Sequence, residues 1–260
     1  MGSIKIISGH TNPGGSTVAN INLCNLFNEH GLGAVFYGPH DWHLDQCRAD
    51  KTSNLVINGD DFLIVHYLVM PERPVTNGKV ILSCHEKHNY PIAKIKCFWD
   101  EIHFVSTSQR EWHQAEGVVI PNRITKLEPN VANTGLAGVI GSIQPHKQTH
   151  ISIRRALNDG FSKVLVYGEI NDPDYYALRI KQYVDSGKVE LMAFEDDKQK
   201  MYDSVEVVYH SSESETFNFI RAECAATSTH YYGTDTADPD VTLYGDKEIF
   251  DAWLELLGIR

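Results

Sequence analysis

The sequence is short of positive charge. Lysine and arginine number 23 against 34 aspartates and glutamates, a formal net charge of −11. That balance argues against a nucleic-acid partner, because holding a phosphate backbone needs a basic face. It leaves room for a small anionic ligand, which needs only a few local donors. No apolar run approaches the roughly 18–20 residues that span a bilayer, so no transmembrane segment is expected. The opening MGSIKIISGH reads as a strand and not as a signal peptide. Cysteine is scarce: Cys24, Cys47, Cys84, Cys97 and Cys224 are odd in number and form no CxxC. Such thiols read as reduced, in a cytoplasmic protein. GxGxxG is absent, which removes the dehydrogenase fingerprint, and HExxH is absent too. Among the histidines, His85-Glu86-Lys87-His88 is the best metal candidate. Its spacing is wrong and no complementary ligand pair accompanies it, so no metal site is expected. No short repeat and no low-complexity tract interrupts the chain.

What is present is an alternation of strand and helix, twice over. Residues 4–8 (IKIIS) form a short apolar run before a Gly-rich turn. Val18, Ile21, Leu23, Leu26 and Phe27 then recur at helical spacing. Strand-like runs follow at 34–37, 54–57, 62–66, 79–83, 102–106 and 117–120. Unbroken apolar runs of this kind suit parallel strands buried on both faces. A polar, Pro- and Asn-rich stretch from Pro121 to about residue 135 reads as a linker. The pattern then restarts, with strands at 137–141, 163–167, 188–192, 205–209 and 229–232. Helices are expected around 151–157, 174–185, 196–203 and 217–226. In the tail, Ile249, Phe250, Trp253, Leu256 and Leu257 make one apolar helical face. The fold class is therefore α/β: two Rossmann-like domains with parallel sheets, a ligand at the carboxyl ends of the strands, and a terminal helix.

Two short stretches carry the chemistry of the second half. Strand 137–141 ends in Gly141-Ser142-Ile143-Gln144-Pro145-His146-Lys147. A glycine at a strand end permits a sharp turn, a helix N-terminus offers unpaired N–H groups, and Lys147 adds a charge. Together these suit a diphosphate. The second stretch, ESETFNFIRAE, places Glu215 at the carboxyl end of strand 205–209 and Glu223 about two helical turns further on. A ligand touching both must be elongated, as a nucleoside diphosphate sugar is, and a carboxylate pairs well with vicinal hydroxyls. Read without Lys147 in register, both glutamates are ordinary surface acids.

A glycine with a lysine six residues later, followed by an E-x7-E element, resembles the C-terminal domain of retaining GT-B glycosyltransferases, most closely glycosyltransferase family 4. The likeness covers most of residues 118–233. It implies a GT-B architecture of two facing domains: 1–125 on the acceptor side, 126–245 on the donor side, and a helix at 246–260 crossing back to the first. It implies hexosyl transfer from a nucleotide diphosphate sugar, UDP or GDP, to a glycan, lipid or small-molecule acceptor, with retention and without a metal or other cofactor. Lys147 would grip the donor phosphates beside Gly141 and Ser142, and Glu223 would hold the ribose. Glu215 and the loop Thr216, Phe217, Asn218 and Phe219 would contact the sugar and phosphates. Residues after Met192, including Phe194, would line the base pocket. In the first half, the loop around Gly14 and Gly15 would approach the donor, with Ser16 capping the following helix. His85 would lie near the anomeric carbon. Catalysis would then rest on His85, Lys147 and Glu215.

The chain departs from that pattern in places. Ser142 stands where the family usually has an arginine, so one positive charge on the diphosphate is missing. Thr216-Phe217-Asn218 replaces a loop of Gly-Phe-Gly type. Three other readings remain open. DPD at 172–174 and 238–240 would suit a metal-dependent GT-A transferase, but both segments read as polar loop turns and the two Rossmann-like halves argue against it. His85 with Glu215 would suit a sugar-nucleotide epimerase. The missing arginine would suit a non-catalytic binding remnant.

Overall fold

The computed structural model describes residues 2–10, 14–39, 45–68, 72–87, 98–130, 134–233 and 244–259. They form two compact units, Met1–Ile124 with Asp240–Arg260, and Thr125–Pro239.

The first unit is built on a seven-stranded sheet. Its strands are β1 (Ile4–Ser8), β2 (Ala34–Gly38), β3 (Ala49–Lys51), β4 (Phe62–His66), β5 (Val80–Cys84), β6 (Glu101–Phe104) and β7 (Val118–Val119). They lie in the order β3-β2-β1-β4-β5-β6-β7, and every neighbouring pair is parallel. The sequence explains why the runs are unbroken. Ile4, Ile6, Ile64 and Ile81 pack on one face, against Ile21, Leu23, Leu26 and Phe27 of the helix Gly15–Glu29. Ile7, Leu63, Val65, Val80 and Leu82 pack on the other, with Phe104 and Trp99. With both faces covered, period-two alternation buries every residue of β1 and β5. Lys5, Ser8 and Ser83 are the polar residues buried there, and Lys5 pairs with Asp61 at 3.3 Å and donates to the Val56 carbonyl.

The terminal helix Asp246–Leu257 completes this core. Ile249, Trp253, Leu256 and Leu257 are buried against the isoleucines of β1, β4 and β5, and Phe250 stacks on His30 at 3.9 Å. The helix starts with Glu248 accepting from the Gly245 N–H and ends at Gly258 in the left-handed region. Lys79 Nζ donates to the Leu256 carbonyl at 2.9 Å.

The run at 54–57 is not a strand. Residues Thr52–Asn54 form a 3-10 turn, and the edge beside β2 is taken by β3 instead. Val56 is exposed, while Leu55 and Ile57 cover the second apolar cluster only in part. The apolar residues there act as a half-buried cover over the sheet.

The second unit holds a five-stranded parallel sheet in the order β10-β9-β8-β11-β12. The strands are β8 (Ala137–Ile140), β9 (Val164–Tyr167), β10 (Val189–Ala193), β11 (Val207–His210) and β12 (His230–Gly233). Alternation is again the organising rule. Val139, Val164, Val166, Val207 and Tyr209 pack on one face, and Leu165, Tyr167 and Val208 on the other. The strand order reverses direction at β8, where β9 lies on one side and β11 on the other. In an open parallel sheet this is the point at which the loops leaving two adjacent strands diverge and leave a crevice.

Candidate functional site

The loops leaving β8 and β11 carry Lys147 and Glu215. β8 gives way to Gly141 at φ +126°, a conformation that favours glycine. Its carbonyl lies against Gly168, at φ +144°, where an added Cβ would come within 2.2 Å of the Gly141 oxygen. The two glycines let the exits of β8 and β9 touch backbone to backbone. Gln144 then bonds Ser142 Oγ, Pro145–Lys147 make a 3-10 turn, and the helix Thr149–Asn158 begins.

This turn delivers Lys147 to Glu215, with Nζ 2.6 Å from Oε1. The same oxygen lies 3.1 Å from Nε2 of His210, the last residue of β11. Burial alone would push the Glu215 carboxyl up. The hydrogen bond from His210 and the charge of Lys147 outweigh it and hold the group at about 2. Glu215 is thus a carboxylate under all ordinary conditions. The loop is braced from both sides: the Glu213 N–H donates to the His146 carbonyl, and Gln148 donates to the Glu213 carboxylate.

Glu223 occupies a different place. It lies in the helix Phe219–Thr227, 2% exposed, and both its oxygens are engaged. Oε1 pairs with Lys198 and Oε2 accepts from the Tyr202 hydroxyl at 2.8 Å. Burial, and then the nearby Glu223 charge, push the Tyr202 phenol well up, so it stays protonated and donates. Lys198 also sits 5.6 Å over the Phe219 ring. Asn218 caps the helix by accepting from the Arg221 N–H, and its amide donates to Tyr231 at 2.8 Å. Phe217 is buried edge-on to Phe219. Phe194 follows β10 and is 52% exposed.

In the first unit, His85 immediately follows β5 and is buried. Burial, and then the nearby His66, His103 and His10, hold its pKa well below the usual histidine value. Its Nε2 contacts Ser83 Oγ at 3.1 Å, and Ser83 contacts His103 Nδ1 at 2.9 Å. Beside it, His66 donates from Nε2 to Glu86 at 3.0 Å and meets Ser8 Oγ through Nδ1. Ser16 does not cap the first helix. The helix begins at Gly15 with extended Gly14 as its cap, and Ser16 bonds Glu86. An extended backbone suits any residue, so nothing local requires glycine at position 14. Residues 11–13 of that loop lie outside the described residues.

Of the residues singled out in the sequence, Lys147 and Glu215 are brought into contact, while Glu223 is engaged by a different lysine. His210, Lys198, Tyr202, Ser83 and His103 were missed. His103 falls inside the strand run at 102–106, His210 just beyond the run at 205–209, and Lys198 inside the helix expected at 196–203, and nothing in the local pattern marks any of them. No periodicity marks a side chain that crosses between elements. Asp172 of the first DPD caps a helix by accepting from the Tyr175 N–H at 2.8 Å, a structural task. The second DPD and His88 lie outside the described residues. Among the described residues no group of three or more His, Cys, Asp or Glu side chains is placed to hold a metal ion. Nor is any helix among them long and apolar enough to cross a membrane.

No protein-family model matches the chain, and no curated protein matches it by sequence. Solved structures do match. The Anabaena protein Alr3699/HepE in complex with UDP-glucose superposes with a TM-score of 0.67 at 14% identity, over 90% of this chain and 81% of that one. AviGT4, a glycosyltransferase involved in avilamycin A biosynthesis, gives 0.65 at 15% identity, over 98% and 93%. A glycosyltransferase from Rickettsia africae gives 0.67 at 13%, over 98% and 89%. The α/β fold with two parallel sheets is the one expected from the sequence, and it is shared with these three structures, two of which are glycosyltransferases.

Proposed function

We propose that the protein transfers a hexosyl group from a nucleotide diphosphate sugar, UDP or GDP, to an acceptor hydroxyl with retention of configuration. The observation that carries this reading is the Lys147–Glu215 pair at the loops leaving β8 and β11, on either side of the sheet's reversal point. The E-x7-E spacing and the fold shared with glycosyltransferases support it, as does the UDP-glucose held by HepE.

In this reading residues 126–245 bind the donor, and 1–125 with 246–260 form the acceptor domain. Breaking the glycosidic bond leaves negative charge on the departing diphosphate. Lys147 stabilises it, together with backbone N–H groups of the turn after Gly141. Glu215 accepts hydrogen bonds from the sugar hydroxyls and, through its contact with Lys147, sets where the ammonium group sits. Glu223 accepts from the ribose hydroxyls once Lys198 gives way, and Phe194 offers a face to the base. His85 is assigned to the transferred sugar. Attack comes from the face the diphosphate leaves, and a phosphate oxygen takes the acceptor proton. Lysine and backbone dipoles supply the neutralisation, so the reaction proceeds without a metal ion.

A thermal-shift panel of UDP, GDP, ADP and CDP sugars tests this directly. The true donor should stabilise the fold by about 2.7 kcal/mol at a hundredfold excess over its dissociation constant. No shift with any of them would overturn the reading. Products are then followed with and without acceptor: conversion of the free donor to an epimer would identify an epimerase instead.

A further inference from the structure

The contacts of His85 determine which of its ring nitrogens carries the proton. The chain starts at the Ile120 carbonyl, which can only accept. His103 Nε2 lies 2.8 Å from it, so that nitrogen carries a hydrogen. His103 is fully buried, and burial lowers it to about 4, so the ring is neutral and its Nδ1 is bare. Ser83 Oγ lies 2.9 Å from that bare nitrogen, and only the serine hydrogen can fill the contact. Ser83 therefore donates to His103 and has only lone pairs left for His85. The 3.1 Å contact between Ser83 Oγ and His85 Nε2 then requires the hydrogen to sit on His85. His85 is itself buried and neutral, so its Nδ1 has no proton. That Nδ1 is buried and has no hydrogen-bond partner among the described residues.

We propose that Ser83 and His103 are positioning residues that lock His85 as the Nε2–H tautomer, so that its bare Nδ1 accepts a hydrogen bond from a hydroxyl of the transferred sugar. The identity of the hydroxyl rests on the function proposed above; the locked tautomer does not. An unmet buried acceptor carries a desolvation cost, and a hydroxyl donor is the chemistry that relieves it. The opposite tautomer would turn a donor toward that position and reject a ligand that offers only its hydrogen. The ring is also held in place from outside the relay. His66 packs edge-on to His85 at 4.8 Å, and Trp253 of the terminal helix lies 4.5 Å from His103. His66 is itself fixed by its Nε2 contacts to Glu86.

The test is long-range nitrogen–proton NMR on the full chain labelled with 15N-histidine, with His85 assigned from a His85→Asn sample. The ligand-free protein should show a protonated Nε2 and a bare Nδ1 for His85 across neutral pH. Ser83→Ala should give mixed tautomers and lower kcat on UDP-glucose about tenfold with KM little changed, while Ser83→Thr, which keeps the hydroxyl, should restore both. UDP-glucose should move the Nδ1 resonance, and UDP alone should not. A protonated Nδ1 in the wild type, or an unchanged tautomer in Ser83→Ala, would overturn the lock. A shift with UDP equal to that with UDP-glucose would overturn the sugar contact. Failure of any sugar nucleotide to bind would instead overturn the proposed function, with the lock still decided by the ligand-free spectrum. If Ser83→Ala does not fold, the wild-type and Ser83→Thr spectra decide the tautomer.

Discussion

Lys147 and Glu215, 68 residues apart in sequence, meet at 2.6 Å through the loops that leave two adjacent parallel strands. The pair is partly buried, with side chains 23% and 14% exposed, and His210 bonds the same carboxylate oxygen. The lysine charge is therefore compensated before any ligand arrives. In the proposed function, an incoming diphosphate would compete with Glu215 for it, leaving the carboxylate to His210 and the ligand.

Lys147→Ala should weaken binding of a nucleoside diphosphate about 10- to 100-fold. Hydrogen bonds from charged donors are worth roughly 1.5–3 kcal/mol. Binding of the matching nucleoside should change little. Calorimetry with both ligands checks this, and equal losses would remove Lys147 from the phosphates.

The Glu215 carboxyl is held at about 2, below its ordinary 4.5. Its ionised form thus stabilises the folded state. That contribution is complete above about pH 4.5 and is lost as pH falls towards 2. Wild-type protein should lose more stability over that window than Glu215→Gln, as read from urea midpoints at pH 7, 4.5 and 3. At neutral pH, Glu215→Gln should lower kcat while leaving product-nucleotide affinity close to wild type.

Glu223→Gln should act in two ways. It removes the charge that Lys198 pairs with, in a buried site, at a cost of about 1–3 kcal/mol. It should also raise the donor KM and weaken the product nucleotide, which keeps its ribose. Tyr202→Phe removes one hydrogen bond to the carboxylate but leaves its charge. Melting curves and KM for the two variants separate the tasks: a lowered melting temperature with unchanged KM in Glu223→Gln would leave Glu223 as a structural acid.

Gly168→Ala should destabilise the second unit by about 2 kcal/mol or more. Its φ of +144° is strained for any side chain, and the new Cβ would meet the Gly141 carbonyl at 2.2 Å. Nucleotide affinity should fall with it, because the turn that delivers Lys147 starts at Gly141. A stable variant with intact binding would show that the two strand exits can move apart freely.

Removing residues 245–260 should unfold or aggregate the first unit. Ile249, Trp253, Leu256 and Leu257 are buried in its core. At roughly 1.5–3 kcal/mol for each fully buried large side chain, their loss rivals the whole stability of a domain. Light scattering and a melting curve of the truncated chain decide the point.

The sequence by itself determined the two parallel α/β units, because strands buried on both faces must be apolar throughout, and IKIIS, FLIVH, VILSC and VLVY are nearly so. It also determined the apolar face of the last helix and the candidacy of Lys147, Glu215, Glu223 and His85. Local pattern misled at residues 54–57, where a strand-like composition served a half-buried cover, and at Ser16, which turned from the helix end to Glu86. Only the tertiary structure decided which charges meet. Lys147 found Glu215, Lys198 took Glu223, and His103 reached His85 through Ser83. Those partners lie on separate strands, helices and loops, and periodicity reports which face a residue occupies but not what stands opposite it. Register between parallel neighbours is set by side-chain packing across the whole sheet, so the pairing of a lysine with one glutamate and not another emerges only once that packing is complete.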